Sequence, residues 1–60
     1  MKLYQLFLNI EIQGNYKVVY YDFDQDKQIE VKPGEYTDKD IAYLYVIDGI
    51  LYIEIDIDED

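Results

Sequence analysis

The sequence predicts an α+β fold: an antiparallel β-sheet of three to four strands with one α-helix packed on it, sheet and helix continued across a homodimer. Three observations lead there. Apolar residues recur at every second position near both ends of the chain, the period of half-buried strands. The stretch from Thr37 to Gly49 carries candidate caps at both ends and apolar residues at i, i+3, i+4, the marks of a helix. Finally, the chain has 60 residues and no cysteine. A domain of that size buries only about 60% of the surface its unfolded chain exposes. Self-association is then the remaining source of buried surface.

The elements follow in order within one domain, 1–60. Tyr4, Leu6, Leu8, Ile10 and Ile12 alternate with mostly polar neighbours, predicting a strand over about 3–12. Gln13-Gly14-Asn15 supplies turn residues, and a second strand over 16–23 returns as the other arm of a hairpin. That strand is apolar on both faces, with Tyr16, Val18 and Tyr20 on one and Val19, Tyr21 and Phe23 on the other, so both faces should be covered. After the polar Asp24-Gln25-Asp26, a short strand spans about 28–32 and Pro33-Gly34 stops it.

Thr37 reads as a helix N-cap with Asp38 and Asp40 in the first turn, the helix runs over about 38–47, and Gly49 is its left-handed C-cap. Ile41, Leu44 and Tyr45 make one apolar stripe, while Tyr43, Val46 and Ile47 make a second beside it. One stripe suffices for packing on a sheet. The surplus assigns Leu44, Val46 and Ile47 to a dimer interface. The last strand, 50–58, places Leu51, Ile53, Ile55 and Ile57 on one face and Tyr52, Glu54, Asp56 and Asp58 on the other.

Composition removes several classes of function. Histidine, cysteine, arginine and serine are absent, so imidazole acid-base chemistry, thiol and serine nucleophiles and Cys/His zinc sites are excluded. Fourteen acids against five lysines give a net charge of −9, the wrong sign for direct nucleic-acid binding and the right one for a basic partner. The apolar runs fall short of the roughly 18 residues of a membrane span, and no signal-peptide core follows Met1-Lys2, which predicts a soluble intracellular protein.

Asp22, Asp24 and Asp26 open like a calcium loop, but an EF-hand would need glycine at Lys27, a bidentate glutamate at Pro33 and flanking helices, so they read as an acidic turn with no metal. Carboxylate pairs for glycoside hydrolysis are available, yet the chain is too short to wall a substrate pocket, and the expectation is a protein that is not an enzyme and holds no cofactor. Of the eight tyrosines, five or six are expected only to pack their rings, and the others are candidate interface anchors. Glu54, Asp56 and Asp58 are more telling: alternate residues of a strand lie about 6.7 Å apart, a spacing of the same order as phosphates along a nucleic-acid strand. Charges of this kind also keep edge strands from aggregating. A net charge of −9 exceeds what solubility asks of a small domain and favours mimicry.

From residue 16 to residue 58 the chain resembles the small dimeric uracil-DNA glycosylase inhibitors of tailed bacteriophages, which are DNA mimics. The likeness rests on Lys27-Gln28 with Glu30, on Asp40-Ile41-Ala42-Tyr43-Leu44-Tyr45, and on Tyr52 to Asp58. The resemblance implies a homodimer in the host cytoplasm whose acidic, apolar-lined groove captures the DNA-inserting loop of host uracil-DNA glycosylase. It places Tyr45 at an important helix tyrosine, Glu30 at a strand glutamate through a one-residue gap, and Ile41 where the family has phenylalanine, with Tyr43 or Phe23 compensating. A second register pairs the family's hairpin with 6–23 and leaves the glutamate unmatched. The expected partner-binding set is therefore Glu30, Ile41, Tyr43, Tyr45, Tyr52, Glu54, Asp56 and Asp58. Alternatives are a mimic aimed at a restriction, CRISPR or nucleoid protein, and a structural or regulatory dimer that inhibits nothing.

Overall fold

In the computed structural model, which describes residues 1–57, one short helix lies on a four-stranded mixed sheet. The protein is thus a small α+β domain. The helix α1 spans Leu3–Asn9, and the strands are β1 (Tyr16–Asp22), β2 (Lys27–Val31), β3 (Asp40–Ile47) and β4 (Ile50–Asp56). The sheet order is β2-β1-β4-β3. Two antiparallel hairpins, β1-β2 and β3-β4, meet along a central parallel pair of β1 and β4, with Val18 beside Ile53 and Tyr16 beside Leu51. The expected all-antiparallel sheet is corrected at that seam. Asp58 and the end of the strand expected over 50–58 lie outside the described residues.

Two elements exchange their expected identities. Residues 3–9, anticipated as the start of a strand over 3–12, form α1, because Leu3, Leu6 and Phe7 also satisfy the i, i+3, i+4 spacing and bury together against the sheet. Side chains fix the helix locally: the Gln5 carboxamide oxygen accepts the Lys2 N–H at 2.8 Å, and the Asn9 amide donates to the Gln5 carbonyl at 2.7 Å. The first N–H groups of a helix lack partners within it. Here the Lys39 and Thr37 carbonyls accept from Leu3 and Tyr4 at 2.9 and 3.0 Å, so Thr37 serves the N-terminus of α1 through its backbone rather than capping a helix of its own.

The helix expected over 38–47 is strand β3 instead. Its residues are rich in β-branched and aromatic types, which pack well on a pleated surface. The decisive feature is the turn that follows. Asp48 and Gly49 both have positive φ, 54° and 77°, and they join Ile47 to its partner Ile50 as a two-residue hairpin loop with the Asp-Gly signature. Gly49 is left-handed as a helix C-cap would be, but it works here in a hairpin. A register shift between Ile41 and Tyr43 makes Ala42 the extra residue of a bulge. Ile41 and Leu44 therefore share the α1 face, opposite Ile55 and Ile53. Bulged strand and helix produce the same i, i+3 apolar spacing.

The core is small. Leu3, Leu6, Val18, Ile53 and Ile55 are buried, with Phe7, Ile12, Tyr16, Tyr20, Val31, Ile41, Leu51 and Ile57 packed around them. Because β2 and β3 occupy opposite edges, residues 32–39 carry the chain from one edge to the other, and Tyr36 meets Tyr20 edge-on at 6.1 Å along the way. Replacing Gly49 with Ala places a side chain in open space at a left-handed φ, so the cost is conformational alone, about 1–2 kcal/mol. Urea unfolding should register that loss, whereas an unchanged midpoint would contradict the Asp48-Gly49 turn.

Candidate functional site

The face of the sheet away from α1 gathers chemistry that lies scattered in the sequence. Strand alternation and register bring to it Lys17, Val19 and Tyr21 from β1, Gln28 and Glu30 from β2, Tyr43, Tyr45 and Ile47 from β3, and Tyr52, Glu54 and Asp56 from β4. Of the residues expected to bind a partner, Glu30, Tyr43, Tyr45, Tyr52, Glu54 and Asp56 share this face. Ile41 does not: the bulge turns it toward α1, where it packs on the core. That is a correction to its expected place in a binding pocket. Tyr45 and Tyr43 are likewise strand residues, not members of a helix.

At the centre, Tyr45 and Tyr52 oppose each other across β3 and β4 with rings 5.4 Å apart and only 2° from parallel. The Lys17 ammonium sits 6.0 Å from the Tyr52 ring and 3.9 Å from the Glu30 carboxylate. Attraction to the ring's negative face and to the carboxylate holds this cation flat on the sheet. Gln28 reaches from the β2 edge over β1: its amide donates to the Tyr45 hydroxyl and approaches Glu54 Oε1 at 3.4 Å, while that hydroxyl lies 3.3 Å from the same carboxylate oxygen. This polar chain crosses the central strands, where Val19 is only 2% exposed despite having no helix above it. The side chains of the sheet supply the cover that β1 needs on its second face.

Toward the Asp56 end lies a shallow depression of about 220 Å³ lined by Tyr21, Phe23, Tyr43, Glu54 and Asp56 among others. Phe23 stacks edge-on against Tyr21 at 5.0 Å and remains 71% exposed; Tyr43 is 65% exposed. Aromatic walls with carboxylates at one end suit a cationic side chain: the rings accept its apolar stem and the carboxylates its charge. Asp40 faces Asp56 in the register, and Lys2 offsets that crowding from 3.6 Å. Both members of this pair are largely solvated, so it contributes little, roughly 0–1 kcal/mol.

The acidic turn between β1 and β2 is built by its own carboxylates. Asp22 Oδ1 accepts the Asp24 N–H at 2.9 Å, and Asp22 Oδ2 accepts the Gln25 side-chain amide at 2.9 Å. The Tyr21 hydroxyl donates to Asp26. Among the described residues no three His, Cys, Asp or Glu side chains converge as a metal cluster. No described helix is long and apolar enough to cross a membrane.

Tyr21, Gln28 and Lys17 are members of this face that the sequence did not assign to binding, whereas Phe23, named there only as compensating for the family's phenylalanine, lies beside Tyr21. Their roles depend on the β1-β2 register and on the side-chain reach across strands. Leu44, Val46 and Ile47, assigned from the sequence to a dimer interface, are exposed along β3 at the sheet edge. Comparison with protein-family models, with curated proteins and with solved structures finds no match.

The Asp26 contact raises the Tyr21 pKa above 10.0, chiefly because the carboxylate accepts a hydrogen bond from the neutral phenol and secondarily through burial and repulsion of the phenolate. A raised folded pKa means that this contact's contribution is present below the ordinary phenol range and is lost as pH rises through the Tyr21 titration. Asp26→Asn should return Tyr21 ionisation toward the ordinary range, followed by its ring resonances. An unmoved titration would remove the assigned contact.

Proposed function

We propose that the helix-free face docks on a basic surface of a partner protein, and that the chain acts by imitating DNA and performs no chemistry itself. One observation carries the reading: Glu54 and Asp56 stand beside the exposed aromatic groups Tyr43 and Phe23 around one depression, on a chain of net charge −9. Carboxylates held on a sheet are ordered before binding, so little entropy is lost in presenting them. The acidic field steers a basic partner toward the face, and the aromatic groups add shape selectivity to charge attraction.

Uracil-DNA glycosylase is the target that the sequence resemblance implies. The helix-lined groove belonging to that resemblance has no counterpart here, since Asp40–Ile47 is a strand. The depression beside Phe23 and Tyr43 would instead take a lysine or arginine side chain of the enzyme's basic surface, its stem on the rings and its charge on Glu54 and Asp56. A homodimer that continues the sheet across two subunits belongs to the same proposal, because it would double the docking face.

Titrating purified uracil-DNA glycosylase with the protein should give stoichiometric inhibition that weakens as salt rises. Combining Glu54→Gln with Asp56→Asn should weaken binding on the order of tenfold, and Tyr43→Ala should do the same while circular dichroism stays unchanged. Full glycosylase activity at excess protein would reject this target. Recovery of a restriction, CRISPR or nucleoid protein on immobilised protein, lost in the carboxylate variant, would move the docking face to that target.

A further inference from the structure

Strand β3 is an edge strand, and among the described residues its outer side is occupied only at its start. Lys2 bridges Asp40, and the Ile41 N–H donates to the Met1 carbonyl at 2.8 Å. Beyond that point Ala42, Tyr43, Leu44, Tyr45, Val46 and Ile47 carry no charge, between Asp40 and Asp48. Tyr43, Leu44, Val46 and Ile47 are 65%, 53%, 65% and 50% exposed, on both faces of one edge. Exposed edges of natural sheets are normally guarded by charges, proline, brevity or a bulge. Here the bulge at Ala42 interrupts only the start of the stretch, and Tyr43 to Ile47 beyond it run regularly without charge or proline.

We infer that β3 pairs antiparallel with β3 of a second copy, about a two-fold axis through Tyr45. The inference rests on the homodimer reading above and adds its edge and register. A two-fold normal to the sheet requires a residue to face its own copy, which leaves few registers. Centring on Tyr45 sets Tyr43 against Ile47 of the second copy and Leu44 against Val46, and the ladder ends where Ala42 bulges and Asp48 turns. Every exposed apolar residue of the edge then finds an apolar partner, and no charge opposes a charge. Centring on Leu44 instead sets Asp40 against Asp48 and extends the ladder onto the Ile41 edge that Met1 occupies. Centring on Val46 sets Leu44 against Asp48 and Tyr43 against Gly49. Like charges or a charge against leucine penalise both.

Charge also selects the occupant. A basic partner would gain no complementarity from an uncharged strip, whereas two copies of a −9 chain can approach only along a stretch that carries none of that charge. The product is an eight-stranded sheet, with both helices on one side and both acidic-aromatic faces on the other. A ladder of about five residues a side, Tyr43 to Ile47, is short of the 20–30 of a standard interface, so the dissociation constant should be on the order of micromolar.

Sedimentation of the unaltered protein across micromolar concentrations should show a monomer–dimer equilibrium, and a monomer throughout would overturn the pairing. The chain has no native cysteine, so single cysteines report the register. Tyr45→Cys should cross-link to its copy on oxidation, since facing residues of antiparallel strands lie within disulfide reach, whereas Tyr43→Cys should not. Cross-linking of Tyr43→Cys alone would overturn the register while leaving the homodimer. Val46→Lys should shift the equilibrium to monomer by at least tenfold with unchanged circular dichroism, and a dimer that survives it would overturn the assigned edge. Glycosylase inhibition is read separately, so failure of the target and failure of the edge are distinguishable.

Discussion

The structure depends on the parallel pairing of β1 with β4. Val18 and Ile53 lie side by side at the middle of the sheet and are both fully buried, directly in the cluster formed with Leu3 and Leu6 of α1. Parallel neighbours cannot be joined by a tight turn. Each of these strands therefore takes its antiparallel partner on its outer side, β2 for β1 and β3 for β4. The edges of the sheet, the long passage through 32–39 and the attachment of Met1-Lys2 to β3 all follow from that choice. So does the position of the acids, since the parallel pair delivers Asp22 and Asp56 to the same end of the sheet.

A seven-residue helix is too short to be stable alone and covers one face of a sheet only in part. On that side it is held by backbone bonds to the β3 entry as much as by its own turns. The opposite face has to cover itself. Its central valine, Val19, is buried beneath long side chains that remain polar at their tips, with Gln28, Tyr45 and Glu54 linked across strands. This arrangement combines two properties that usually conflict: a dry strand centre, and a surface of carboxylates and hydroxyls. An apolar cover would have excluded water equally well but offered a basic partner nothing to recognise.

Local pattern revealed half of this, and the physical reason is visible at particular residues. Glu54 and Asp56 were legible as a row because β4 alternates without interruption from Leu51 to Asp56. Residues 3–9 satisfy both a period of two and a helical stripe, and the choice was made by Leu3 and Leu6 finding a cover on Val18 and Ile53, a long-range fact. At 40–47 the bulge at Ala42 imitates a helical spacing, while the Asp48-Gly49 pair carried the contrary signal of a hairpin. Two residues in succession at positive φ outweigh one apparent stripe. The helix-free face was read from the acids and tyrosines of β3 and β4, with Glu30 of β2 added by the family resemblance. Tyr21, Lys17 and Gln28 enter only through register.

Edge and face make opposite demands on solvent, which separates them physically. The proposed docking of a basic surface on the helix-free face would gain from unscreened charge and weaken with added salt. The pairing inferred along β3 would bring two acidic bodies together through an uncharged strip, so each copy's carboxylates would resist the approach and screening would relieve that resistance. At physiological ionic strength the screening length is about 8 Å, while a run of six uncharged strand residues is roughly 20 Å long. The strip thus extends beyond the reach of most of the repulsion flanking it. On these two proposals a strongly acidic chain would retain a field suited to a basic partner and still offer one segment along which two copies could meet.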